Sequence, residues 1–311
     1  MAERDLLLRV SGLKQYFKIN RRYTIKAVDG VSFEIVRGET YGLVGESGSG
    51  KSTIGRSLIR LYKPTSGEIE FNGSPISGPL GRDTKKMLRT KMQMIFQDPA
   101  ASLNPRRKVM DLVAEGLDIH RLCPTAAARE EKVYGILQSV GLAREHAQRY
   151  PHQFSGGQKQ RIGIARALVM NPDLIIADEA ISALDVSIQA QVVNLMKDIQ
   201  RKTGVAFLFI SHDLSMVKYI SDRIGVLHLG RLVETGDTQE IFKSPIHPYT
   251  RALLSAIPRP NPQTERDRVA LRYDVHEAGI DYSHGVRRAV SPGHDVLATE
   301  EEFRRWTERV L

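Results

Sequence analysis

The sequence predicts an α/β fold: a parallel sheet with helices, an antiparallel β layer, an inserted helical subdomain and a short C-terminal extension. Three observations carry this reading. Short apolar runs, "YGLVG" (Tyr41–Gly45), "DLIIAD" (Asp173–Asp178) and "VAFLFIS" (Val205–Ser211), alternate with helical patterns, as the buried strands of a parallel sheet do. A glycine-rich turn leads from the first run into a helix starting at Lys51. Near the N-terminus, "LLLRV", "KAVDGVSFEIV" and "EIEFNG" read as strands joined by turns with no helix between them, which makes an antiparallel layer.

The later elements follow in order. From about Asp98 to Tyr150 the chain is mainly helical, with an apolar stripe of Val133, Ile136, Leu137 and Val140. This stretch interrupts the strand pattern and is read as a helical subdomain spanning about residues 98–165. Ile188, Val192, Leu195 and Ile199 recur at helical spacing between the second and third apolar runs. After Pro258 the text "PRPNPQTERDR" is a proline-rich, charged linker. The expected division is therefore a main domain over residues 5–258 and an extension over residues 259–311. No internal repeat is present.

Composition narrows the class. Of 311 residues, 41% are hydrophobic and 26% charged, as in a soluble globular protein. The formal net charge of +9 permits an acidic partner. No block of five or six like charges occurs, so a nucleic-acid-binding tail is not indicated. Cys123 stands alone, which excludes an internal disulfide and a cysteine-based metal site. The start "MAERDLLLRV" lacks a secretory signal. No apolar run approaches the ~18–20 residues needed to span a bilayer. A cytosolic protein, able to dock on a membrane protein, is expected.

Two motifs carry chemistry. "GESGSGKST" comprises Gly45, Glu46, Ser47, Gly48, Ser49, Gly50, Lys51, Ser52 and Thr53. It fits G-x-x-x-x-G-K-[ST] between a strand and a helix, the context a phosphate loop requires. Backbone N–H groups of such a turn cradle phosphates, aided by the positive end of the helix. Lys51 is expected to reach the β- and γ-phosphates and Ser52 to ligate Mg²⁺. The loop is expected to be exposed. "LIIADE" ends a hydrophobic strand on Asp178, which is placed near the Mg²⁺. Glu179 follows and is expected to polarise the attacking water. Together the motifs define a P-loop NTPase.

"PHQFSGGQKQR" (Pro151–Arg161) places a second glycine-rich segment far from the first. Phosphate loop, "FSGGQ", "ADE", "SALD" and "FISHDL" occur in this order, and the order resembles the ATP-binding subunits of ABC transporters over about Leu6 to Pro258. The resemblance implies two subunits packed head to tail around two ATP molecules. Ser155, Gly156, Gly157 and Gln158 would then cap the γ-phosphate of ATP held by the partner. Gln97 matches the glutamine that senses Mg²⁺ and the γ-phosphate and links to the membrane subunits. His212 matches the histidine that contacts the γ-phosphate, and Asp185 the loop that communicates across the dimer. Phe17 fits the aromatic that stacks on adenine, with Tyr16 and Tyr23 as alternatives. Phe154 stands where leucine is common, and Ala180 where proline is.

"KAVDGVSFEI", "FQDPAASLNPR", "DEAISALDVSIQAQVVNLM" and "HPYTRALLSAIP" narrow the resemblance to the oligopeptide/dipeptide importers, and within them to the second of the paired ATPases. It implies ATP hydrolysis that powers peptide uptake, at the cytoplasmic face of the cell membrane. The implied partners are a second ATPase (a paralogue or a second copy), two transmembrane permease subunits and, indirectly, an extracytoplasmic binding protein. The C-terminal segment has no cysteine, so the iron–sulfur cluster of some relatives is not expected. Three alternatives stay open: an ABC-type ATPase acting on nucleic acid or ribosomes, a non-hydrolysing regulatory module, and an importer ATPase for nickel or another small solute.

Overall fold

The computed structural model describes residues 5–98, 102–257, 271–275 and 277–308. The "PAA" of "FQDPAASLNPR" and the linker after Ile257 lie outside the described residues.

Strands β1 (Leu6–Lys18) and β2 (Thr24–Val36) pair antiparallel, and β4 (Ser66–Phe71) pairs antiparallel with β1 on its other edge. With the short β5 (Ser74–Pro75) they form the expected antiparallel layer, in the order β2-β1-β4-β5.

Among the described residues the second sheet runs, in order, β11 (Val286–Ser291), β12 (His294–Ala298), β10 (Arg231–Asp237), β9, β3, β8, β7 and β6. Its parallel part consists of β9 (Arg223–His228), β3 (Thr40–Val44), β8 (Ala206–Ile210), β7 (Leu174–Asp178) and β6 (Met92–Ile95). Every residue of β3, β7 and β8 is buried, as expected of strands covered on both faces.

The two faces build two cores, and strand alternation assigns the side chains. Leu174, Ile176, Leu208 and Ile210 pack against the antiparallel layer and helix α1 (Lys51–Leu58). Ile175, Ala177, Phe207 and Phe209 pack on the opposite side against the helical subdomain. That subdomain contains α3 (Val109–His120), α4 (Ala126–Ser139) and α5 (Gly156–Leu168). Helix α2 (Arg82–Lys91) precedes β6. Of the predicted stripe, Val133, Leu137 and Val140 are fully buried. Arg129 clamps α4 to α3 with paired 2.8 Å hydrogen bonds to Asp118.

Helix α6 (Val186–Thr203) connects β7 to β8, and α7 (Leu214–Ile220) follows β8. After β10 (Arg231–Asp237) come α8 (Thr238–Lys243) and α9 (Pro248–Ser255). The described part of the C-terminal segment forms a hairpin, β11 (Val286–Ser291) and β12 (His294–Ala298), then α10 (Glu300–Thr307). Strand β12 pairs with β10, so the segment extends the main sheet. Trp306 and Tyr282 are buried in the same core.

Candidate nucleotide site

Four neighbouring parallel strands point their C-terminal ends the same way. Each carries a predicted group just beyond that end: Gly45 after β3, His212 after β8, Asp178 and Glu179 at the end of β7, and Gln97 after β6. Ligands of open α/β sheets bind outside the carboxyl ends of the strands.

The phosphate loop closes tightly. Gly45 and Gly50 have φ of 148° and 107°, where an L side chain is strained. A Cβ on Gly45 would lie 2.0 Å from the Leu227 carbonyl oxygen, and one on Gly50 would lie 2.2 Å from that of Ala27. Helix α1 begins at Lys51 with no acidic residue in its first turn, leaving its positive end open to an anion. Thr53 lies within that first turn. Glu46, Ser47 and Gly48 are exposed, as expected, but Ser49 and Lys51 are each only 4% exposed. The Lys51 ammonium donates to the carbonyls of Gly45 and Glu46, both at 2.8 Å, and approaches Ser49 Oγ at 3.5 Å. Burial lowers its pKa, opposed by the charges of Glu179, Asp178 and Glu46. The expectation of an exposed loop is thus corrected in part: Ser49 and Lys51 are buried, and the ammonium satisfies its donors on carbonyls of its own loop.

Ser52 Oγ donates to Asp178 Oδ1 at 2.7 Å, and Arg56 lies 3.9 Å from the same carboxylate. Burial raises the Asp178 pKa, against the lowering effects of the Ser52 hydrogen bond and Arg56. A hydroxyl and a carboxylate held together are hard oxygen donors. They fit Mg²⁺, which is commonly held by one or two protein oxygens plus substrate phosphates. Glu179 takes φ of 48°, a strained conformation for this residue type, and its N–H donates to the Ile210 carbonyl at 2.9 Å. Gln97 Nε2 donates to Glu179 Oε2 at 2.8 Å. His212 Nδ1 stands 3.6 Å from Glu179 Oε1. One carboxylate thus gathers an amide and an imidazole from two other strand ends. This arrangement can order and polarise a water molecule.

The second glycine-rich segment stands apart. Among the described residues, no hydrogen bond or ion pair joins Ser155, Gly156, Gly157 or Gln158 to the phosphate loop, Asp178 or Glu179. "SGGQ" instead opens α5 as a reciprocal cap. Ser155 Oγ accepts from Gln158 N–H at 3.4 Å, and Gln158 Oε1 accepts from Ser155 N–H at 3.1 Å. The S-x-x-Q spacing is the sequence signature of this cap and signals it without any structure. The Ser155 hydroxyl proton stays free to donate, and the first turn of α5 carries no acid. Gly156 has room for a side chain, with Leu184 Cδ2 at 3.5 Å from an added Cβ. Gly157 does not, because Ile188 Cγ2 would lie at 2.5 Å.

Asp185 is exposed at the N-terminus of α6 and makes no side-chain cap. Phe17 is half-buried, edge-on to Tyr62 with centroids 5.2 Å apart. Tyr16 donates to Asp29 Oδ1 at 2.5 Å, while Tyr23 is 59% exposed. Phe154 is buried, edge-on to His146.

Two groups near the site are not among the predicted residues. Arg56 follows Ser52 by one helical turn, a spacing visible in the sequence. The Tyr249 hydroxyl accepts from the Glu46 N–H at 3.0 Å, and no local pattern signals this contact.

Known proteins resemble this chain over nearly its whole length. The family model described as "ABC transporter" matches residues 28–182, and that described as "Oligopeptide/dipeptide transporter, C-terminal region" matches residues 233–278. The oligopeptide transport ATP-binding protein OppF of Bacillus subtilis is 58% identical over 97% of this chain and 99% of its own. The dipeptide transport ATP-binding protein DppF of Lactococcus lactis is 52% identical over 97% of each. A dimeric, post-hydrolysis structure of the ATP-binding cassette MJ0796 bound to ADP and Pi superposes with a TM-score of 0.68 at 28% identity, covering 75% of this chain and 99% of that one. With a relative of such identity spanning both chains, and with the phosphate loop, the strand-end carboxylates and the second glycine-rich cap in place, the chain belongs to the ATP-binding subunits of the ABC transporter family.

Proposed function

We propose that the chain binds and hydrolyses ATP to power the uptake of oligopeptides or dipeptides across the cytoplasmic membrane. The observation that carries the catalytic part is the Glu179 carboxylate, held by the Gln97 amide and faced by His212. Lys51 trades its backbone carbonyls for the β- and γ-phosphates. Ser52, Gln97 and Asp178 would hold Mg²⁺, which would supply positive charge to the phosphates. Glu179 orients the water and accepts its proton, and His212 donates toward the γ-phosphate.

Ser155, Gly156, Gly157 and Gln158 serve the ATP of a second ATPase subunit, a paralogue or another copy, packed head to tail. A free hydroxyl proton and an acid-free helix start suit them to an anion that their own chain does not place there. Asp185 lies on the exposed rim where the subunits meet, and Phe17 stacks on adenine.

No helix among the described residues is long and apolar enough to cross a membrane. Two permease subunits provide the path. A groove of about 340 Å³ beside β6, lined by Met94, Phe96, Ile119 and Met170 among others, suits a short amphipathic helix of a permease. Ile119 is 71% exposed there. The subunit thereby sits at the cytoplasmic face, and the transported peptide stays in the other subunits. The test is uptake of labelled peptide into vesicles holding the assembled transporter. Uptake requires ATP on the side of this chain and is lost with Glu179→Gln. Uptake that persists in that variant contradicts the proposal.

A further inference from the structure

Tyr249 sits in the C-terminal region, yet its hydroxyl reaches the phosphate loop. It accepts from the Glu46 N–H at 3.0 Å, while the Glu46 carbonyl accepts from Lys51 Nζ at 2.8 Å. Each peptide group flanking Glu46 thus has a side-chain partner. The Lys51 contacts with Gly45, Glu46 and Ser49 occupy the three donors of an ammonium, so reaching a phosphate requires giving up at least one of them. The Tyr249 grip does not compete with phosphate.

Tyr249 is itself held rigidly. It is 1% exposed, and its ring stacks on His228 with centroids 4.1 Å apart. His228 Nδ1 meets the Tyr282 hydroxyl at 2.7 Å, and Tyr282 meets the Tyr273 hydroxyl at 3.1 Å. His247 caps α9 by accepting from the Tyr249 N–H at 3.0 Å. Glu234 accepts from the N–H groups of Ile246 and His247 and lies 2.8 Å from His294. Tyr273, Tyr282 and His294 all come from the segment after the linker, so that segment completes the box that aims Tyr249. Burial pushes the Tyr249 pKa up to about 12, which keeps the phenol neutral near pH 7.

We infer that Tyr249 is a positioning residue for ATP binding: its hydroxyl holds the start of the phosphate loop open while Lys51 moves to the phosphates, and so couples the C-terminal region to nucleotide affinity. This rests on reading Gly45–Thr53 as the phosphate cradle. The gain is preorganisation, because a loop held in its binding shape has less order to acquire on binding.

The test uses the full chain and three variants, with affinity for the magnesium complex of a non-hydrolysable ATP analogue measured by calorimetry. Tyr249→Phe keeps the ring and its stack but removes the hydroxyl. The dissociation constant rises about 3- to 10-fold, the range for one lost hydrogen bond. In steady-state hydrolysis KM rises in step, and kcat changes less. Tyr41→Phe removes a buried hydroxyl that meets Thr235 at 2.9 Å and none from the loop or from the box around Tyr249; it lowers the melting temperature of the nucleotide-free protein and leaves affinity within about twofold. Lys51→Ala abolishes tight binding. If Lys51→Ala weakens binding while Tyr249→Phe does not, Tyr249 is a core residue and the inference fails. Equal weakening by Tyr249→Phe and Tyr41→Phe points to general loosening and also overturns it. Unchanged affinity in Lys51→Ala removes the cradle reading itself, and the inference with it.

Discussion

Gln97 Nε2 donates to Glu179 Oε2 across 2.8 Å, joining two strand ends that lie 82 residues apart in sequence. The amide fixes one carboxylate oxygen, and the other faces His212 at 3.6 Å. In Glu179→Gln the new carboxamide oxygen still accepts from Gln97, so the shape survives and only the charge is lost. ATP binding therefore persists, while turnover falls about 10²–10⁴-fold, the range for losing a positioned general base. Phosphate release and calorimetric ATP affinity check this pair of outcomes. Near-normal steady-state hydrolysis contradicts the role.

Lys51→Ala has two consequences because Lys51 has two sets of partners. Its charge is lost to the phosphates, so ATP affinity drops by more than about tenfold, over 1.4 kcal/mol. Its donors are also lost to the Gly45 and Glu46 carbonyls. The nucleotide-free protein is expected to lose about 1–3 kcal/mol, the cost of stranding a buried acceptor, here the Gly45 carbonyl, measured by denaturant unfolding. Full stability in this variant would mean that water satisfies those carbonyls.

His247 gives the C-terminal region a pH dependence. It is fully buried, and burial, then the nearby charges of His228 and Arg251, lower its pKa to about 3. In the unfolded chain it titrates near 6.5. The folded state therefore binds fewer protons, and the stability this neutral imidazole contributes is present above about pH 6.5. It is lost as pH falls toward 3, at about 1 kcal/mol per pH unit from this group. His247→Asn keeps a side-chain acceptor for the Tyr249 N–H but cannot titrate. Between pH 6.5 and 5, unfolding free energy falls less steeply in the variant than in the natural protein. Equal slopes would assign the dependence to other groups.

What the sequence disclosed follows from which forces act locally. Strands β3, β7 and β8 are buried on both faces, so apart from Thr40 and Asp178 at their ends they read as apolar runs. The cap at Ser155 and Gln158 is a contact between near neighbours, and its spacing is written in four letters. Long-range pairings leave no such trace. Nothing near Glu234 announces that His294 will lie 2.8 Å away, or that β12 will extend the main sheet. Tyr249 meets Glu46 across 203 residues. The strained backbone of Glu179 and the burial of Lys51 run against ordinary residue preferences, so composition predicts neither.

A mixed dimer tests most directly whether the second glycine-rich segment serves the partner's ATP. Gly157→Asp is a poor probe, because its Cβ would meet Ile188 at 2.5 Å within the same chain. Gly156→Asp has only the 3.5 Å contact with Leu184 and still sets a negative charge against the phosphate. One subunit carries Gly156→Asp, and the other carries Lys51→Ala or its equivalent in a paralogue. Nucleotide occupancy and single-turnover hydrolysis are then measured at each site. If the segment works in trans, both lesions fall on one composite site, and the other site binds and hydrolyses its ATP. If each site is damaged by one lesion, the segment works within its own chain and the account is contradicted.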